Sequence, residues 1–253
     1  ILRECLRKVG IDKGIEITSM ADVVGGTGLG SSSSFTVGVL HALHAWKGEF
    51  VTAEQLAAEA CEIEISRLKE PIGKQDQYIA AYGGFKYMEF MPDETVRVDP
   101  LICSPKTWAV LSQRLLLLYT GMTRKAGPIL RRARARFRSQ EAVLKRLRQL
   151  AEFARRELQL GMVDSLGELL HEGWLLKRGL AAGVSNPAID RAYERARRHG
   201  AAGGKILGAG GGGFLLLFCA PNKRERVRRA LAGWREVPVH FEPEGSKIIY
   251  VSK

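Results

Sequence analysis

A run of glycine and serine near the start of the chain has the composition of a phosphate-binding loop. It comprises residues 25–34, Gly-Gly-Thr-Gly-Leu-Gly-Ser-Ser-Ser-Ser, and precedes an apolar segment, Phe35 to Trp46, that is predicted to be a helix. Glycine allows positive φ and lets an anion approach the backbone closely. The amino end of the helix would present unpaired N–H groups to that anion, and the serine hydroxyls could contact phosphate or magnesium. The alternative is a flexible surface turn capped by serines.

The same loop differs from two common nucleotide-binding patterns. No Gly-Lys-Ser/Thr sequence follows it, as a Walker A loop would require, and the third glycine of the GxGxxG fingerprint is absent. The loop therefore predicts phosphate binding without predicting either of those two folds.

Two acidic residues, Glu64 and Asp76, flank a break after a predicted helix. The break contains Pro71 and Gly73, which can turn the chain so that both acids face one site. Phosphoryl transfer to an alcohol needs a hard cation and often a carboxylate that accepts the hydroxyl proton. Spacing alone leaves open the alternative that each acid is an ordinary surface residue.

Two further segments contain residues suited to binding a phosphate or closing a site. Residues 208–213, Gly-Ala-Gly-Gly-Gly-Gly, join two apolar segments, and a tight connection between strands is the alternative. Thr123, Arg124 and Lys125 follow a predicted strand and could bind a substrate phosphate by charge-assisted hydrogen bonds; helix capping and ordinary surface cations are the alternative. His41 and His44 lie one helical turn apart, and we interpret them as helix-face residues because no acid convincingly completes a metal site.

The elements that must position these residues mix helices and strands without regular alternation. The predicted helices are residues 35–46, 52–68, 75–81, 125–160 with a break, 163–182, 186–199 and 223–234. The predicted strands are residues 14–21, 85–90, 95–98, 115–119, 205–207, 214–218, 237–241 and 247–251. Thr52 and Gln55 have the form of a capping box. This order predicts an α+β architecture of two layers.

The composition is that of a globular protein with a strong basic bias. The chain has 253 residues, of which 45% are hydrophobic and 26% charged, and a formal net charge of +12. No apolar run approaches the roughly 20 residues that span a bilayer. The four cysteines form no CxxC pair, which disfavours a disulfide framework or zinc site and favours a reducing cytoplasm. The charge could indicate nucleic acid, a membrane surface or an acidic small substrate, but most of the basic excess lies in residues 124–156 and is interpreted as a solvated helix face. That segment lacks the interleaved aromatics that stack on bases, so no nucleic-acid partner is expected, and no membrane partner is expected either.

The segment GTGLGSSSSFTVGVLHAL strongly resembles the second motif of the GHMP kinases, roughly PxxxGLGSSAA, with Val24 at the position of the usual proline. The resemblance implies that the loop amides wrap the triphosphate of ATP and that Ser32 contacts magnesium. The implied nucleotide-binding residues are Gly26, Gly28, Leu29, Gly30, Ser31, Ser32 and Ser33.

Residues 64–77 resemble the galactokinase-like members of the same family. These carry a glutamate, a Pro-x-Gly break and an Asp-Gln pair twelve residues after the glutamate, as this sequence does. The resemblance implies that Glu64 is a magnesium ligand and that Asp76 is the catalytic base or orients the acceptor hydroxyl. The second glycine run resembles the third family motif, KxxGxGxGGC, with Phe214 at the cysteine position. Further candidates on the substrate side are Gln77, Gly83, Gly84, Thr123, Arg124, Gly210 and Gly211.

The segments GLGSSSSFTVG, PIGKQDQYIAAYGGF and YTGMTR are most similar to the heptose 7-phosphate kinase branch of this family. The resemblance implies a kinase, dependent on ATP and Mg2+, that phosphorylates the anomeric hydroxyl of D-glycero-D-manno-heptose 7-phosphate to give the 1,7-bisphosphate. The alternatives are another sugar, an amino sugar or a mevalonate-type alcohol as acceptor, or an ATP-binding chain without catalysis. The expected partner is a small sugar phosphate, and a homo-oligomer is left open.

The resemblance also implies the two-domain GHMP-kinase architecture. The expected N-terminal domain, residues 1–105, is ribosomal-protein-S5-domain-2-like, and the expected C-terminal domain, residues 106–253, is ferredoxin-like. Heptose kinases carry a first motif with a Gly-Gly-Gly-Thr-Asp segment near the sugar, and Ile1 lies after the place of that motif. The first strands of the N-terminal domain are therefore expected to be missing from this sequence.

Overall fold

The computed structural model describes residues 1–23 and 25–252, so Val24 lies outside the described residues. The chain forms two compact units. The first contains Ile1–Gly25, Gly30–Pro100 and Phe241–Lys253, and the second contains Gly26–Leu29 and Leu101–His240. The domain boundary predicted between residues 105 and 106 differs from these units chiefly because the C-terminal segment, Phe241–Lys253, belongs to the first unit.

The first unit is mainly helical. Its elements are helix α1 (Leu2–Val9), helix α2 (Ser31–Trp46), helix α3 (Ala53–Cys61), a π-helical turn (Glu62–Arg67), helix α4 (Gln75–Tyr82), strand β1 (Lys86–Phe90) and strand β2 (Val96–Pro100). The two strands form an antiparallel ribbon. Helix α3 begins where the sequence predicts, because the Thr52 hydroxyl accepts a hydrogen bond of 3.1 Å from the N–H of Gln55.

The core of the first unit forms around α2. Val37, Leu40 and Leu43 recur on one face of this helix and are buried together with Leu56 and Ala60 of α3. Burial of a leucine side chain stabilises the folded state by about 2 kcal/mol, so this shared apolar face holds the amino end of α2 in place.

The second unit contains the larger sheet. Its elements are helix α5 (Pro105–Arg114), strand β3 (Leu115–Tyr119), helix α6 (Ala126–Ala135), a 3-10 turn (Phe137–Gln140), helix α7 (Glu141–Gln159), a 3-10 turn (Val163–Ser165), helix α8 (Leu166–Arg178), helix α9 (Pro187–Arg198), strand β4 (Ala201–Ile206), strand β5 (Phe214–Cys219), helix α10 (Pro221–Ala230) and strand β6 (Arg235–Val237). The sheet is antiparallel, with strand order β4-β5-β3-β6. This β-α-β-β-α-β order confirms the predicted ferredoxin-like part.

The hydrophobic core of the second unit lies between its sheet and helices α8 and α9. Leu116 and Leu217 on the central strands are fully buried, as are Trp174 of α8 and Ile189 and Tyr193 of α9. The continuous leucines of β3 are typical of a strand covered by other elements. The long basic helix is broken as predicted, at the 3-10 turn between α6 and α7. None of the helices in the described residues is long and apolar enough to cross a membrane.

Three predicted strands are wrong. Residues 14–21 and 247–251 form no strand, although half-buried Ile15 and Ile17 follow the predicted alternation, and the strand predicted at residues 237–241 lies at Arg235–Val237 instead. Alternation shows which side chains are covered, but a strand also needs a neighbouring backbone with which to pair. Helix α5 was not predicted, yet its signal is present: Ser104 caps the N–H of Thr107 and Pro105 occupies the first turn.

Candidate active site

The amino end of α2 has the geometry expected of an anion-binding helix terminus. Gly30 precedes the helix in the left-handed region, with φ of 70°, and has no side chain that could cap the first turn. Gly30 therefore cannot cap the N–H groups of the first turn. These groups point outward from the amino end of the helix. Ser31 and Ser32 begin the helix, and the Ser32 side chain is exposed.

Glu64 is completely buried and is held by two side chains of the same unit. The Ser32 hydroxyl donates a hydrogen bond to Oε1 of Glu64, and Nε2 of Gln77 donates to Oε2 at 2.7 Å. Oε1 of Gln77 is itself buried and accepts no hydrogen bond. A buried carboxylate needs such partners because loss of its hydration is costly.

A π-helical turn presents Glu64 to Ser32. The predicted helix of residues 52–68 changes at Glu62 from α-helical to π-helical geometry, which continues to Arg67. Lys69, which follows this turn, has φ of 56° in the left-handed region. Single π-helical turns are frequent at functional sites, and the sequence contains no pattern from which this one could be predicted.

Asp76 lies beside the amino end of α2. It is in the first turn of α4, and its Cγ is 3.3 Å from the position that a Cβ on Gly30 would occupy. Burial raises the pKa of Asp76, and the nearby charge of Glu64 adds to the rise. Ser32, Glu64 and Asp76, which the sequence places far apart, are therefore brought together in one unit.

The oxygen atoms around Glu64 suit a magnesium ion. Magnesium is a hard cation that takes few protein ligands and completes its coordination with water and phosphate oxygens. The Ser32 hydroxyl and the Glu64 carboxylate are in direct contact. Within the described residues there is no group of three or more His, Cys, Asp or Glu side chains that could hold a metal ion. The hydroxyl of Ser32 and the carboxylate of Glu64 are both oxygen donors of the type that magnesium takes.

The earlier part of the glycine loop belongs to the second unit, where it contacts the second glycine run. A Cβ on Gly28 would lie 2.8 Å from the carbonyl oxygen of Leu207, and the φ of Gly28 is +86°. Glycine is therefore required by backbone contact as well as by conformation. Leu29 remains 37% exposed, whereas Thr27 is buried.

Several residues that the sequence predicts on the substrate side contact other parts of the protein. Gln77 is fully buried against Glu64. Gly83 and Gly84 lie against the C-terminal segment: the N–H of Gly84 donates to Glu242 O at 2.9 Å, and a Cβ on Gly83 would overlap the backbone of Glu244. These glycines therefore permit the close passage of that segment.

In the second unit, Gly210 and Gly211 pack against the turn at residues 183–184. The N–H of Gly211 donates to Val184 O at 2.8 Å, and a Cβ on Gly210 would overlap the same carbonyl. Thr123 is exposed, whereas the guanidinium of Arg124 donates hydrogen bonds to backbone carbonyls.

The two histidines of α2 have partners that sequence reasoning missed. His44 is buried, and its Nδ1 and Nε2 lie 2.7 Å and 2.8 Å from carboxylate oxygens of Glu49 and Glu59. Nδ1 of His41 lies 3.0 Å from the hydroxyl of Ser246. The interpretation of His44 as a plain helix-face residue without a nearby acid is therefore wrong, since two glutamates flank it.

Comparison with known families identifies the chain. The model "GHMP kinases N terminal domain" matches residues 1–84, and "GHMP kinases C terminal" matches residues 150–236, together about two thirds of the sequence. The chain belongs to the GHMP kinase family. The loop at residues 25–34 and the acids at Glu64 and Asp76 all lie within the N-terminal match.

This member of the GHMP kinase family has relatives that are named for sugar or sugar phosphate substrates. It is 33% identical over 213 residues to the D-glycero-alpha-D-manno-heptose 7-phosphate kinase of Campylobacter jejuni, a match that covers 83% of this chain. It is 31% identical over 233 residues to the bifunctional fucokinase/GDP-fucose pyrophosphorylase of Arabidopsis thaliana, covering 89% of this chain. The crystal structure of a D-glycero-D-manno-heptose 1-phosphate kinase from Bacteroides thetaiotaomicron superimposes with a TM-score of 0.78 at 28% identity, covering 98% of this chain and 74% of that one.

The matches cover only part of the first two relatives. The chain spans 63% of the length of the Campylobacter kinase and 22% of the length of the Arabidopsis protein. This chain shares the family and the fold of these proteins.

Proposed function

We propose that this GHMP kinase transfers the γ-phosphate of ATP to the anomeric hydroxyl of D-glycero-D-manno-heptose 7-phosphate and forms the 1,7-bisphosphate. The observation that carries the proposal is the position of the Asp76 carboxyl group beside Gly30, at the amino end of α2. A carboxyl group at that place can receive a proton from an alcohol that attacks a phosphate held by the helix terminus.

In the proposed reaction the acceptor oxygen forms a bond to the γ-phosphorus while the bond from that phosphorus to the β-phosphate oxygen breaks. ADP leaves, and the hydroxyl proton passes to Asp76. The raised pKa of Asp76, caused by burial and then by Glu64, makes its carboxylate a better proton acceptor than an exposed aspartate. Asp76 is thus proposed as the catalytic base.

Ser32 and Glu64 are proposed to hold magnesium, which when bound would neutralise charge on the phosphates. The hydroxyl and the carboxylate already lie in contact. Gln77 is assigned to Glu64 rather than to the substrate, since its amide N–H group orients that carboxylate. The nucleotide is proposed to bind the loop amides and hydroxyls of residues 26–33, which supply several N–H donors and few side chains that would obstruct an anion.

A heptose phosphate is the proposed acceptor because two of the relatives named above are heptose phosphate kinases. Their names differ in the position of the existing phosphate, at C7 in one and C1 in the other. An anionic acceptor suits a chain with a net charge of +12. A cytoplasmic location, inferred from cysteine usage, stays a prediction.

The direct test is ADP release from Mg-ATP with heptose 7-phosphate, heptose 1-phosphate, free heptose, galactose, fucose and mevalonate as acceptors. The expected result is turnover with heptose 7-phosphate that exceeds turnover with every other acceptor. Preference for another acceptor would overturn the substrate assignment. ATP binding without turnover on any acceptor would instead support an ATP-binding chain without catalysis.

A further inference from the structure

One side chain, Arg124, joins the two glycine-rich segments of the second unit. Its Nε donates a hydrogen bond to the carbonyl oxygen of Gly210, and its Nη1 donates to the carbonyl oxygen of Gly26 at 3.3 Å. These acceptors lie 86 and 98 residues from Arg124 in the sequence. A guanidinium is suited to this arrangement because its donors diverge from one rigid plane.

The two segments also touch each other directly next to this guanidinium. A Cβ on Gly208 would lie 2.7 Å from Cα of Gly28, and a Cβ on Gly213 would overlap the carbonyl of Thr27. Nη2 of Arg124 is buried without a hydrogen-bond partner and lies 3.1 Å from the Cβ position of Gly28. Arg124 therefore lies against the contact between the loops, with one of its nitrogen atoms buried there.

A second cation fixes the later glycine segment from the side of α8. Nζ of Lys177 donates to the carbonyl oxygens of Ile206 at 3.1 Å and Gly208 at 2.6 Å. Burial lowers the pKa of Lys177 to about 7, and the positive charges of Lys205 and Arg124 add to the effect. A half-buried lysine with two carbonyl partners is a structural contact, since its donors are directed to the backbone.

We infer that Arg124 is a positioning residue that holds the first glycine loop in its nucleotide-binding conformation, with Lys177 fixing the segment on which that loop rests. This inference rests on the proposed ATP binding by residues 26–33. The hydrogen bond from Arg124 to the carbonyl oxygen of Gly26 fixes the orientation of the planar peptide group that joins Gly26 to the next residue of the loop. Arg124 thus acts on the nucleotide through the backbone, not through a direct charge contact with a phosphate.

The two possible roles of Arg124 predict different effects of a lysine substitution. If Arg124 acted as a charge that binds phosphate, Arg124→Lys would retain much of the affinity for ATP. If Arg124 acts by bridging two carbonyls, Arg124→Lys would lose almost as much affinity for ATP as Arg124→Ala. A single ammonium cannot donate hydrogen bonds in the two fixed, divergent directions of a guanidinium. Lys125→Ala is a matched control, since Lys125 is the neighbouring exposed cation.

The first measurement is amide hydrogen exchange without nucleotide, on the wild type, Arg124→Lys, Arg124→Ala, Lys177→Met and Lys125→Ala chains. Exchange in residues 27–29 and at Gly211 and Gly213 should be faster by about tenfold or more in both Arg124 variants, as expected for loss of a charged hydrogen bond. Lys177→Met should loosen residues 208–213, and Lys125→Ala should change nothing. Wild-type rates in the Arg124 variants, or equally faster exchange in β3 and β5, would overturn the inference.

The second measurement is titration of the same chains with Mg-ATP. Both Arg124 variants should raise the Kd for ATP by about tenfold or more, and Lys125→Ala should leave it unchanged. Retained affinity in Arg124→Lys, or in both variants, would overturn the positioning role. A wild-type chain that does not bind ATP would refute the proposed function instead, and hydrogen exchange would still decide whether Arg124 couples the loops.

Discussion

Ser32 donates a hydrogen bond to Oε1 of Glu64 across 32 residues of sequence, and this contact joins the first turn of α2 to the π-helical turn. Neither residue is unusual on its own. Together with Asp76 they place a hydroxyl, a buried carboxylate and a carboxyl group of raised pKa around one helix terminus.

Substitution Glu64→Gln should raise the magnesium concentration needed for half-maximal turnover. The amide keeps the size of the side chain but removes the charge that makes it a good ligand for a hard cation. The measurement is a magnesium titration of ADP release at saturating ATP. Glu70→Gln, at an exposed position, is the control, and a titration identical to that of the wild type would remove Glu64 from the proposed metal site.

Substitution Asp76→Asn should lower turnover by at least about a hundredfold, the usual contribution of a positioned acid or base. ATP affinity should persist. Because burial and Glu64 raise the pKa of Asp76, the folded state binds this proton more strongly than the unfolded state. Ionisation of Asp76 therefore lowers the free energy of unfolding as pH rises from the ordinary pKa of an aspartate to the raised pKa of the folded state.

The same variant is thus expected to unfold at a higher temperature than the wild type at pH 7, while its activity is lost. Thermal unfolding followed by circular dichroism measures this, with the exposed Asp12→Asn as control. Near-normal turnover would refute the assignment of the base. A lower unfolding temperature would refute the argument from the pKa.

Substitution Gly28→Ala should lower the affinity for ATP by about tenfold to a hundredfold. A decrease of this size corresponds to the loss of one or more charge-assisted hydrogen bonds. A Cβ there lies 2.8 Å from Leu207 O and requires a left-handed backbone, so the loop has to move. Gly38→Ala is the matched control, because no atom lies within 4 Å of a Cβ at that helical position. Equal ATP affinities for the two variants would mean that the loop does not bind nucleotide.

The stability of the first unit should depend on the protonation of His44. Burial lowers the pKa of His44, but hydrogen bonds to Glu59 and Glu49 outweigh burial, and the net pKa is raised above its ordinary 6.5. The stabilisation by protonated His44 is complete below the pKa of His44 in the unfolded state. It is lost as pH rises through the raised pKa of the folded state.

The unfolding temperature of the wild type should therefore fall across that interval of pH. In His44→Gln the fall should be absent, because glutamine does not titrate. His240→Gln is the control, since His240 is exposed and lies outside this cluster. Parallel pH profiles for the wild type and His44→Gln would contradict the prediction.

The sequence by itself determined the elements whose signals are local. The threonine cap at Thr52, the leucine run of β3 and the asparagine and proline before α9 each depend on neighbouring residues, and the element that follows each signal formed where it was predicted. The glycine–serine loop before α2 was recognisable for the same reason. The family resemblance identified Glu64 and Asp76 as candidate site residues. Their spacing alone was equally consistent with two acids at the surface.

Only the tertiary structure decided how those residues are used. Glu64 is buried in the π-helical turn with Gln77 as a hydrogen-bond donor, and the pKa of Asp76 is raised by its own burial and then by the charge of Glu64, so neither property follows from local sequence. The same holds for Arg124, whose acceptors lie 86 and 98 residues away, and for Gly83, which is needed by the C-terminal segment. Contacts between distant parts of the chain form only when the core has brought them together, and a hydrophobic pattern specifies which faces are buried without specifying what they meet.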